Sequence, residues 1–187
     1  MRLFFAIELP DTVKSALGRL RPQADQSYRW VEPQLMHVTL AFLGEQPETA
    51  LRTLEAVGEE AAAAAKPARL TTAGLDAFGS KRSPRVLVVQ LGGDIDALVH
   101  LQAGLDQRLR QAGFALEDRA FRPHITLARR RQDASGGPPG LAEPARVAFP
   151  VERLTLFQSR LSPRGPTYTP LAQFPIGGYS PASQAKI

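Results

Sequence analysis

The motif His-(Val/Ile)-Thr-Leu occurs twice in this chain, at residues 37–40 and 124–127, and it uses two of the three histidines. Both copies lie in runs of apolar and β-branched residues, "MHVTLAFLGE" and "PHITLARR", which predict strands. Successive side chains of a strand point to opposite faces, so the histidine and the threonine of each motif share one face. Each copy is therefore expected to present an imidazole and a hydroxyl on a polar face and to anchor its other face in a core.

Two imidazoles that line one cleft suit acid–base chemistry on a phosphodiester. A neutral histidine removes a proton from the attacking oxygen, and a protonated histidine supplies a proton to the departing oxygen. An ordinary histidine pKa of about 6.5 lets both forms exist near neutral pH. The hydroxyls of Thr39 and Thr126 can donate to the phosphate oxygens, where charge accumulates during displacement. The residues alone do not decide whether His37 or His124 is the acid.

Two further residues test this interpretation. Arg129 follows the second motif and is the first candidate for a charge-assisted bond to phosphate. Strict alternation places Arg129 on the face opposite His124, unless a β-bulge turns it back. His100 serves as an internal comparison, because it lies in the helical pattern "ALVHLQAGL" without a neighbouring threonine motif. We expect His100 to have a structural role only.

The pattern of elements around the two motifs is repeated. Each motif strand is preceded by a strand and a helix, which predicts two related halves whose polar faces meet. A Gly/Pro-rich loop is expected at residues 130–144, exposed and mobile. Helices are predicted from Asp11, as N-cap, to residue 21, at 47–65 and at 94–112. Strands are predicted at 2–9, 28–33, 35–44, 68–79, 85–91, 121–129, within 146–161 and at 168–174.

Composition narrows the class of protein. The 187 residues suffice for one substantial core, and a net charge of +5, mostly from arginine, favours anionic partners. The absence of cysteine excludes disulfides, thiolate nucleophiles and cysteine-based metal sites. The N-terminal "MRLFFAIELP" contains one basic residue and an apolar run too short for a signal peptide or a membrane span, so we expect a cytoplasmic protein that binds no membrane.

The chain resembles the bacterial and archaeal RNA 2′,3′-cyclic phosphodiesterases of the 2H phosphoesterase superfamily, which were formerly called 2′-5′ RNA ligases. The segments that carry the resemblance occur in the same order as in that family: the opening "RLFFAIELP", the two motifs and the late "LTLFQSRLSPRGPTYTPL". The resemblance covers nearly the whole chain. It implies a bilobal α+β fold, with two pseudo-symmetric lobes of antiparallel sheet, helices outside and a central basic cleft. It further implies hydrolysis of RNA 2′,3′-cyclic phosphate ends, or of small cyclic nucleotides, to 2′-phosphates, without metal or cofactor.

The resemblance also assigns roles to residues. It makes His37 the proton donor and His124 the proton acceptor, with Thr39 and Thr126 on the phosphate. Residues that are weaker candidates for substrate binding are Trp30, Phe42, Arg160 and Tyr168. For Trp30, stacking on a base competes with a place in the core. One bilobal domain is expected at residues 1–175, followed by a flexible tail at 176–187, and a monomer is expected because the helices carry no exposed apolar stripe.

Three other functions remain to be separated from hydrolysis. The same acid and base could run in reverse and join tRNA halves through a 2′-5′ linkage. A non-catalytic RNA- or nucleotide-binding module would use the arginines but would not need paired histidine motifs. A histidine-based metal hydrolase would need further imidazole or carboxylate ligands, as in H-E-x-x-H, and neither motif offers them.

Overall fold

The computed structural model describes residues 1–80, 82–134, 137–163 and 165–178. Its three α-helices are α1 (Asp11–Gly18), α2 (Leu51–Ala64) and α3 (Ile95–Gln111). Short 3₁₀ turns lie at Pro33–Leu35, Glu48–Ala50 and Ile176–Gly178. The strands are β1 (Arg2–Glu8), β2 (Tyr28–Trp30), β3 (His37–Glu45), β4 (Ala68–Gly79), β5 (Pro84–Gly93), β6 (His124–Arg130), β7 (Ala148–Val151), β8 (Arg153–Ser162) and β9 (Gly165–Pro175).

The strands form two antiparallel sheets, which confirms the predicted α+β class. The first sheet has the order β3-β1-β8-β9 and the second has the order β2-β6-β5-β4-β7. The two motif strands, β3 and β6, contact each other where the sheets meet. If β3 is matched to β6, then β1, β8 and β9 match β5, β4 and β7, so the second sheet repeats the first with β2 added. The sheets are therefore the two related halves that the repeated motif predicted.

A single main core joins both sheets to the helices. It takes the alternate residues Leu3, Phe5 and Ile7 of β1 and the corresponding inner residues of the other strands. Helix α2 packs on β8 and β9 and against α3, which in turn contacts β3 and β4. A second, small cluster of Phe4, Ala6 and Phe157, with Tyr168 against it, lies on the opposite face of the first sheet. That face is the one that carries the histidine of β3.

The element boundaries correct several sequence expectations. The first helix begins at Asp11 with Pro10 as its N-cap residue and no side-chain cap, so Asp11 is not the cap. The stretch 146–161 divides into β7 and β8, which belong to different sheets. Gly113 follows α3 with φ of 88°, as its C-terminal position predicted.

The C-terminal turn, Ile176–Gly178, packs against α2. Ile176 is buried, and its N–H donates to the carbonyl of Glu152, so packing extends past the predicted boundary at residue 175. Residues 179–187 of the predicted tail lie outside the described residues. Of the helices that the described ranges contain, none has the length and apolar character to cross a bilayer.

Helix α2 lies close to the first sheet because residue 58 is glycine. A Cβ atom at Gly58 would overlap the ring of Phe174 in β9. We predict that Gly58→Ala lowers the free energy of unfolding by about 1–3 kcal/mol, because overpacking outweighs the better helix propensity of alanine. Urea unfolding measures the change.

The matched control is Gly104→Ala in α3. The nearest neighbour of a Cβ there is the guanidinium end of Arg108, at 3.3 Å, which donates to the Gly104 carbonyl and pairs with Glu60. Because the end of a long side chain shifts more easily than a buried ring, the variant should change the free energy of unfolding by less than about 1 kcal/mol. Equal changes in the two variants would contradict this account of the contact between α2 and β9.

Candidate active site

Each motif places its histidine and threonine on the cleft face and its two aliphatic residues in the core. In β3, Val38 and Leu40 are 0% and 4% exposed, while His37 and Thr39 are half-buried. The second motif repeats this pattern in β6. There Ile125 and Leu127 are buried completely, and the histidine and threonine stay half-buried. The face assignment predicted from alternation is confirmed for both strands.

A one-residue bulge lies at the last residue of the motif in each strand. In β3 the register skips Leu40, since Phe5 pairs with Ala41 and the next residue of β1 pairs with Thr39. In β6 it skips Leu127 in the same way, between Ala128 and Thr126. Two consecutive residues of each strand are consequently buried, and the alternation after the bulge is reversed.

The reversal brings the next side chain of each strand onto the histidine face. In β3 this residue is Phe42, which is 40% exposed and has the guanidinium of Arg2 4.8 Å from its ring centroid. In β6 it is Arg129, which is exposed. The bulge required for Arg129 to face the cleft is therefore present. Phe42 and Arg129 occupy equivalent positions in the two halves, one apolar and one cationic.

Both catalytic candidates are held by the same backbone contact. The Nδ1 atom of His37 lies 2.7 Å from the carbonyl oxygen of Leu35, and that of His124 lies 2.6 Å from the carbonyl oxygen of Arg122. A carbonyl oxygen only accepts hydrogen bonds, so Nδ1 carries the proton and donates in both rings. The Nε2 atom of each ring is then a base when the ring is neutral and a donor when it is charged. Each ring is thereby oriented for proton transfer through one defined atom.

The surroundings of the two rings differ. His37 packs between aromatic rings, with centroid distances of 5.0 Å to Phe4 and 5.3 Å to Tyr168. The ring of His124 is nearly perpendicular to that of Phe78, with the centroids 4.8 Å apart, and it borders a cavity of about 380 Å³. The same cavity is lined by Arg122, whose guanidinium lies 4.6 Å from the ring centroid of Phe78. His37 is thus the enclosed ring and His124 the accessible one.

Asp76 lines this cavity and is hydrogen-bonded to two other lining residues, Gln90 and Arg122. Its Oδ2 atom accepts hydrogen bonds of 3.0 Å from both Arg122 and Gln90. The backbone N–H of Ala77, followed by Gln90 and Arg122, keeps the pKa of the Asp76 carboxyl below its usual value, against the effect of burial. The Asp76 carboxylate therefore stays ionised and accepts hydrogen bonds from these three donors.

Burial and positive charge lower the pKa of both histidines. Desolvation is the main cause for His37; the charges of His124 and Arg129 lower its pKa further, against the hydrogen bond to Leu35. Desolvation is also the main cause of the lowered pKa of His124. The charges of Arg129 and Arg122 lower this pKa further, and the hydrogen bond to the backbone carbonyl of Arg122 raises it. The charge of Arg129 thus acts on both rings, in agreement with the cleft-facing position that the bulge gives it.

Tyr168 completes the polar surface around His37. Burial raises the pKa of its phenol, while the charges of Arg129 and Arg2 lower it. The hydroxyl therefore stays protonated near neutral pH and can donate a hydrogen bond. Within the described residues, the hydroxyls of Thr39 and Thr126 have no hydrogen-bond partner, so they too are available to a ligand.

Two of the weaker sequence candidates lie elsewhere. Trp30 is 8% exposed, belongs to the main core and donates its indole N–H to Asp25 at 2.7 Å. Core packing therefore accounts for Trp30, and a base cannot stack on it there. Arg160 is exposed, but alternation along β8 puts it on the face opposite Phe157 and Ser159, away from the histidines. Phe42 and Tyr168, by contrast, do join the cleft.

Sequence reasoning missed several residues of the site. Phe4 and Arg2 reach the cleft because they alternate with the core residues of β1, although "RLFFAIEL" reads as one apolar run. Phe78 and Arg122 contact each other and line the cavity next to His124. The alternation of β1 is the signal that could have identified Phe4, whereas nothing local in the sequence marks Phe78.

The assembled groups suit an anionic ligand. Imidazoles, hydroxyls and guanidinium groups converge, and Asp76, the carboxylate that lines the cavity next to His124, already accepts hydrogen bonds from Gln90 and Arg122. Among the described residues there is no group of three or more histidine, aspartate or glutamate side chains placed to hold a metal ion. The donor set itself, rich in cations and hydroxyls, matches a phosphate better than a divalent cation.

Comparison with known proteins finds relatives that match along the whole chain. A family model described as the 2′-5′ RNA ligase superfamily matches residues 9–162. The RNA 2′,3′-cyclic phosphodiesterase of Thermus thermophilus is 35% identical over 192 aligned positions, which cover 100% of this chain and 96% of that protein.

Solved structures agree with this similarity. The crystal structure of TT0787 of Thermus thermophilus has a TM-score of 0.83 and 34% identity, covering 96% of this chain and 100% of that one. The crystal structure of E. coli LigT in complex with 3′-AMP has a TM-score of 0.73 and 28% identity, covering 94% and 97% of the two chains.

The lowered histidine pKa values can be measured directly. We predict that NMR titration of the ring protons gives His37 and His124 pKa values below 6.5, the ordinary value. Added inorganic phosphate should raise both values, because a bound anion favours the imidazolium form and offsets Arg129. A pKa at or above 6.5 for both rings without phosphate would contradict the described burial and charge.

Proposed function

Because the chain belongs to the 2′-5′ RNA ligase superfamily, we propose that it hydrolyses RNA 2′,3′-cyclic phosphate ends to 2′-phosphate ends by metal-independent acid–base catalysis with two histidines. Its class is that of its relatives, RNA 2′,3′-cyclic phosphodiesterase. The observation that carries the proposal is the matched pair of rings, each with Nδ1 fixed on a carbonyl and Nε2 left for proton transfer.

In the proposed reaction His124 acts first as the base. Its neutral Nε2 takes a proton from a water molecule, whose oxygen forms a bond to phosphorus. The access that the cavity next to His124 provides supports this role, since the nucleophile must reach the phosphate from solvent. The lowered pKa of His124 also favours the neutral form that a base requires.

His37 acts as the acid on the opposite side. Its Nε2–H gives a proton to the O3′ atom of the ribose as the P–O3′ bond breaks, which leaves the phosphate on O2′ and a free 3′-hydroxyl. The burial of His37 lowers its pKa and so makes the imidazolium a stronger acid. The negative charge of a bound phosphate would stabilise that imidazolium before the transfer.

The remaining groups would bind the phosphate. Thr39 and Thr126 donate from their hydroxyls, and Arg129 supplies a guanidinium that acts on both rings. Tyr168 can donate from its protonated phenol. Such donors stabilise charge that grows on the non-bridging oxygens, and the loss of one commonly costs about 10²–10³-fold in rate. Phe42, with Arg2 over its ring, offers an exposed aromatic surface for a base.

We propose that the enzyme acts as a monomer in the cytoplasm. Both motif strands, Arg129 and Tyr168 come from one chain, so the site is complete without a second copy. Gel filtration with light scattering measures the oligomeric state.

Joining of RNA ends through a 2′-5′ linkage is the second candidate. The observation that favours it is the cavity of about 380 Å³ on the side of His124, because a nucleoside with a 5′-hydroxyl could enter there in place of water. Incubation of RNA halves that carry a cyclic phosphate and a 5′-hydroxyl would reveal a joined product. Tight RNA binding without any turnover would instead favour a non-catalytic module.

We predict that His37→Ala and His124→Ala each lower kcat for a 2′,3′-cyclic phosphate by about 10²–10⁴-fold, the usual contribution of one proton transfer. The wild-type rate should persist in EDTA. The matched control is His100→Ala, since His100 lies in α3 and bonds the backbone of Asp96 instead of facing the cleft. Full activity of either motif variant, with unfolding unchanged, would disprove the mechanism.

A substrate with a good leaving group separates the two roles. A diester that releases p-nitrophenolate needs little protonation of its leaving oxygen, so it should recover much of the rate of His37→Ala but not of His124→Ala. The opposite pattern would exchange the assigned roles of the two histidines.

A further inference from the structure

Arg29 lies next to Arg129 on the cleft face of the second sheet. The register of β2 and β6 pairs Arg29 with Arg129, and paired residues of antiparallel strands project to the same face. The neighbours of Arg29 in β2, Tyr28 and Trp30, are buried on the other face, while Arg29 is exposed. The bulge that turns Arg129 toward the cleft therefore also decides that Arg29 stands next to it.

This pairing is unfavourable for stability. Like charges directly opposite one another on a sheet repel, with an effect comparable to that of other cross-strand pairs. Of the ion pairs formed by the described residues, none involves Arg29 or Arg129, so neither guanidinium has a carboxylate within ion-pair distance to offset the repulsion. The next pair along the same strands avoids the conflict, because Tyr28 is opposite Arg130, whose guanidinium lies 5.7 Å from the tyrosine ring centroid.

The two arginines stand at different distances from the reacting centre. Arg129 is on β6, the strand that contacts β3, and its charge lowers the pKa of His37, His124 and Tyr168. Arg29 is on β2, which lies beyond β6 at the edge of the same sheet. A phosphate held at Arg29 would thus be a different phosphate from the one between the histidines.

We propose that Arg29 binds the phosphate on the 5′ side of the terminal nucleotide, while Arg129 contacts the cyclic phosphate. This inference rests on the proposed function. In RNA that ends in a 2′,3′-cyclic phosphate, the only neighbouring phosphate is the one at the 5′ position of that last nucleotide. Arg29 is then a specificity-determining residue that makes the enzyme prefer polynucleotide ends to cyclic mononucleotides.

The test compares two substrates that differ only in this phosphate: a nucleoside 2′,3′-cyclic phosphate and the same compound with a 5′-phosphate. The wild type should have the higher kcat/KM for the 5′-phosphorylated compound. In Arg29→Gln the ratio of the two kcat/KM values should fall by about tenfold, since a charge-assisted bond is lost. Arg29→Lys should retain part of the preference, because it keeps the charge but not the bidentate geometry.

The salt dependence gives a second readout. For an oligonucleotide with a cyclic phosphate end, the slope of log kcat/KM against log salt should become shallower by about 0.7 in Arg29→Gln, the value for one phosphate contact on a single strand. The matched control, Arg52→Gln, removes the same charge from an exposed position on the outer helix α2 and should alter neither slope nor ratio.

Two results would overturn the proposal. One is an unchanged ratio in Arg29→Gln, and the other is an equal effect of Arg52→Gln, which would show that only net charge matters. Failure of the proposed function has a different signature, namely no turnover of either compound by the wild type. Calorimetric binding of the two compounds to wild type and Arg29→Gln would still decide the role of Arg29 in that case.

Discussion

The one-residue bulge at the leucine of each His-x-Thr-Leu motif determines which of the following side chains face the cleft. Without it, Phe42 and Arg129 would continue the strict alternation and point into the core with Leu40 and Leu127. A buried guanidinium there would have no partner and would cost far more than the local distortion of the ladder. The bulge instead lets each strand bury two consecutive residues and then present the next side chain to the cleft.

The repeated geometry produces an asymmetric site. Both rings use the same contact from Nδ1 to the carbonyl two residues earlier, so the backbone supplies orientation equally. The side chains then differ: His37 is enclosed by Phe4 and Tyr168, whereas His124 borders an open cavity. The proposed mechanism uses this difference: an acid that protonates a bound oxygen can be enclosed, and a base that receives a nucleophile from solvent must be accessible. In that mechanism two related halves supply two chemical roles without a change of motif.

Local patterns predicted the parts of the site that depend on alternation and propensity. The faces of the motif strands, the two long helices and the pairing of two related halves all follow from residues close in sequence. The sequence could predict only that Arg129 faces the cleft if a bulge is present. It could not predict the bulge, because a bulge depends on the register with the neighbouring strand. Trp30 could not be assigned between core and cleft, since its burial depends on Asp25 and on β6.

The contacts that join distant segments were beyond sequence reasoning. Phe4 reaches His37 together with Tyr168, which is far along the chain, and Arg29 meets Arg129 only because β2 adds to the edge of the second sheet. Division of residues 146–161 between two sheets was likewise set by strand pairing and not by composition. Such contacts depend on topology, so no single segment encodes them.

The pH dependence of kcat/KM in the presence of EDTA tests the central claim most directly. With both histidine pKa values below 6.5 in the free protein, the wild type should give a bell-shaped profile that peaks below pH 6.5. The residual activity of His124→Ala should lose the acidic limb, because the base is gone, and that of His37→Ala should lose the alkaline limb. Profiles that keep both limbs in both variants would contradict a two-histidine mechanism.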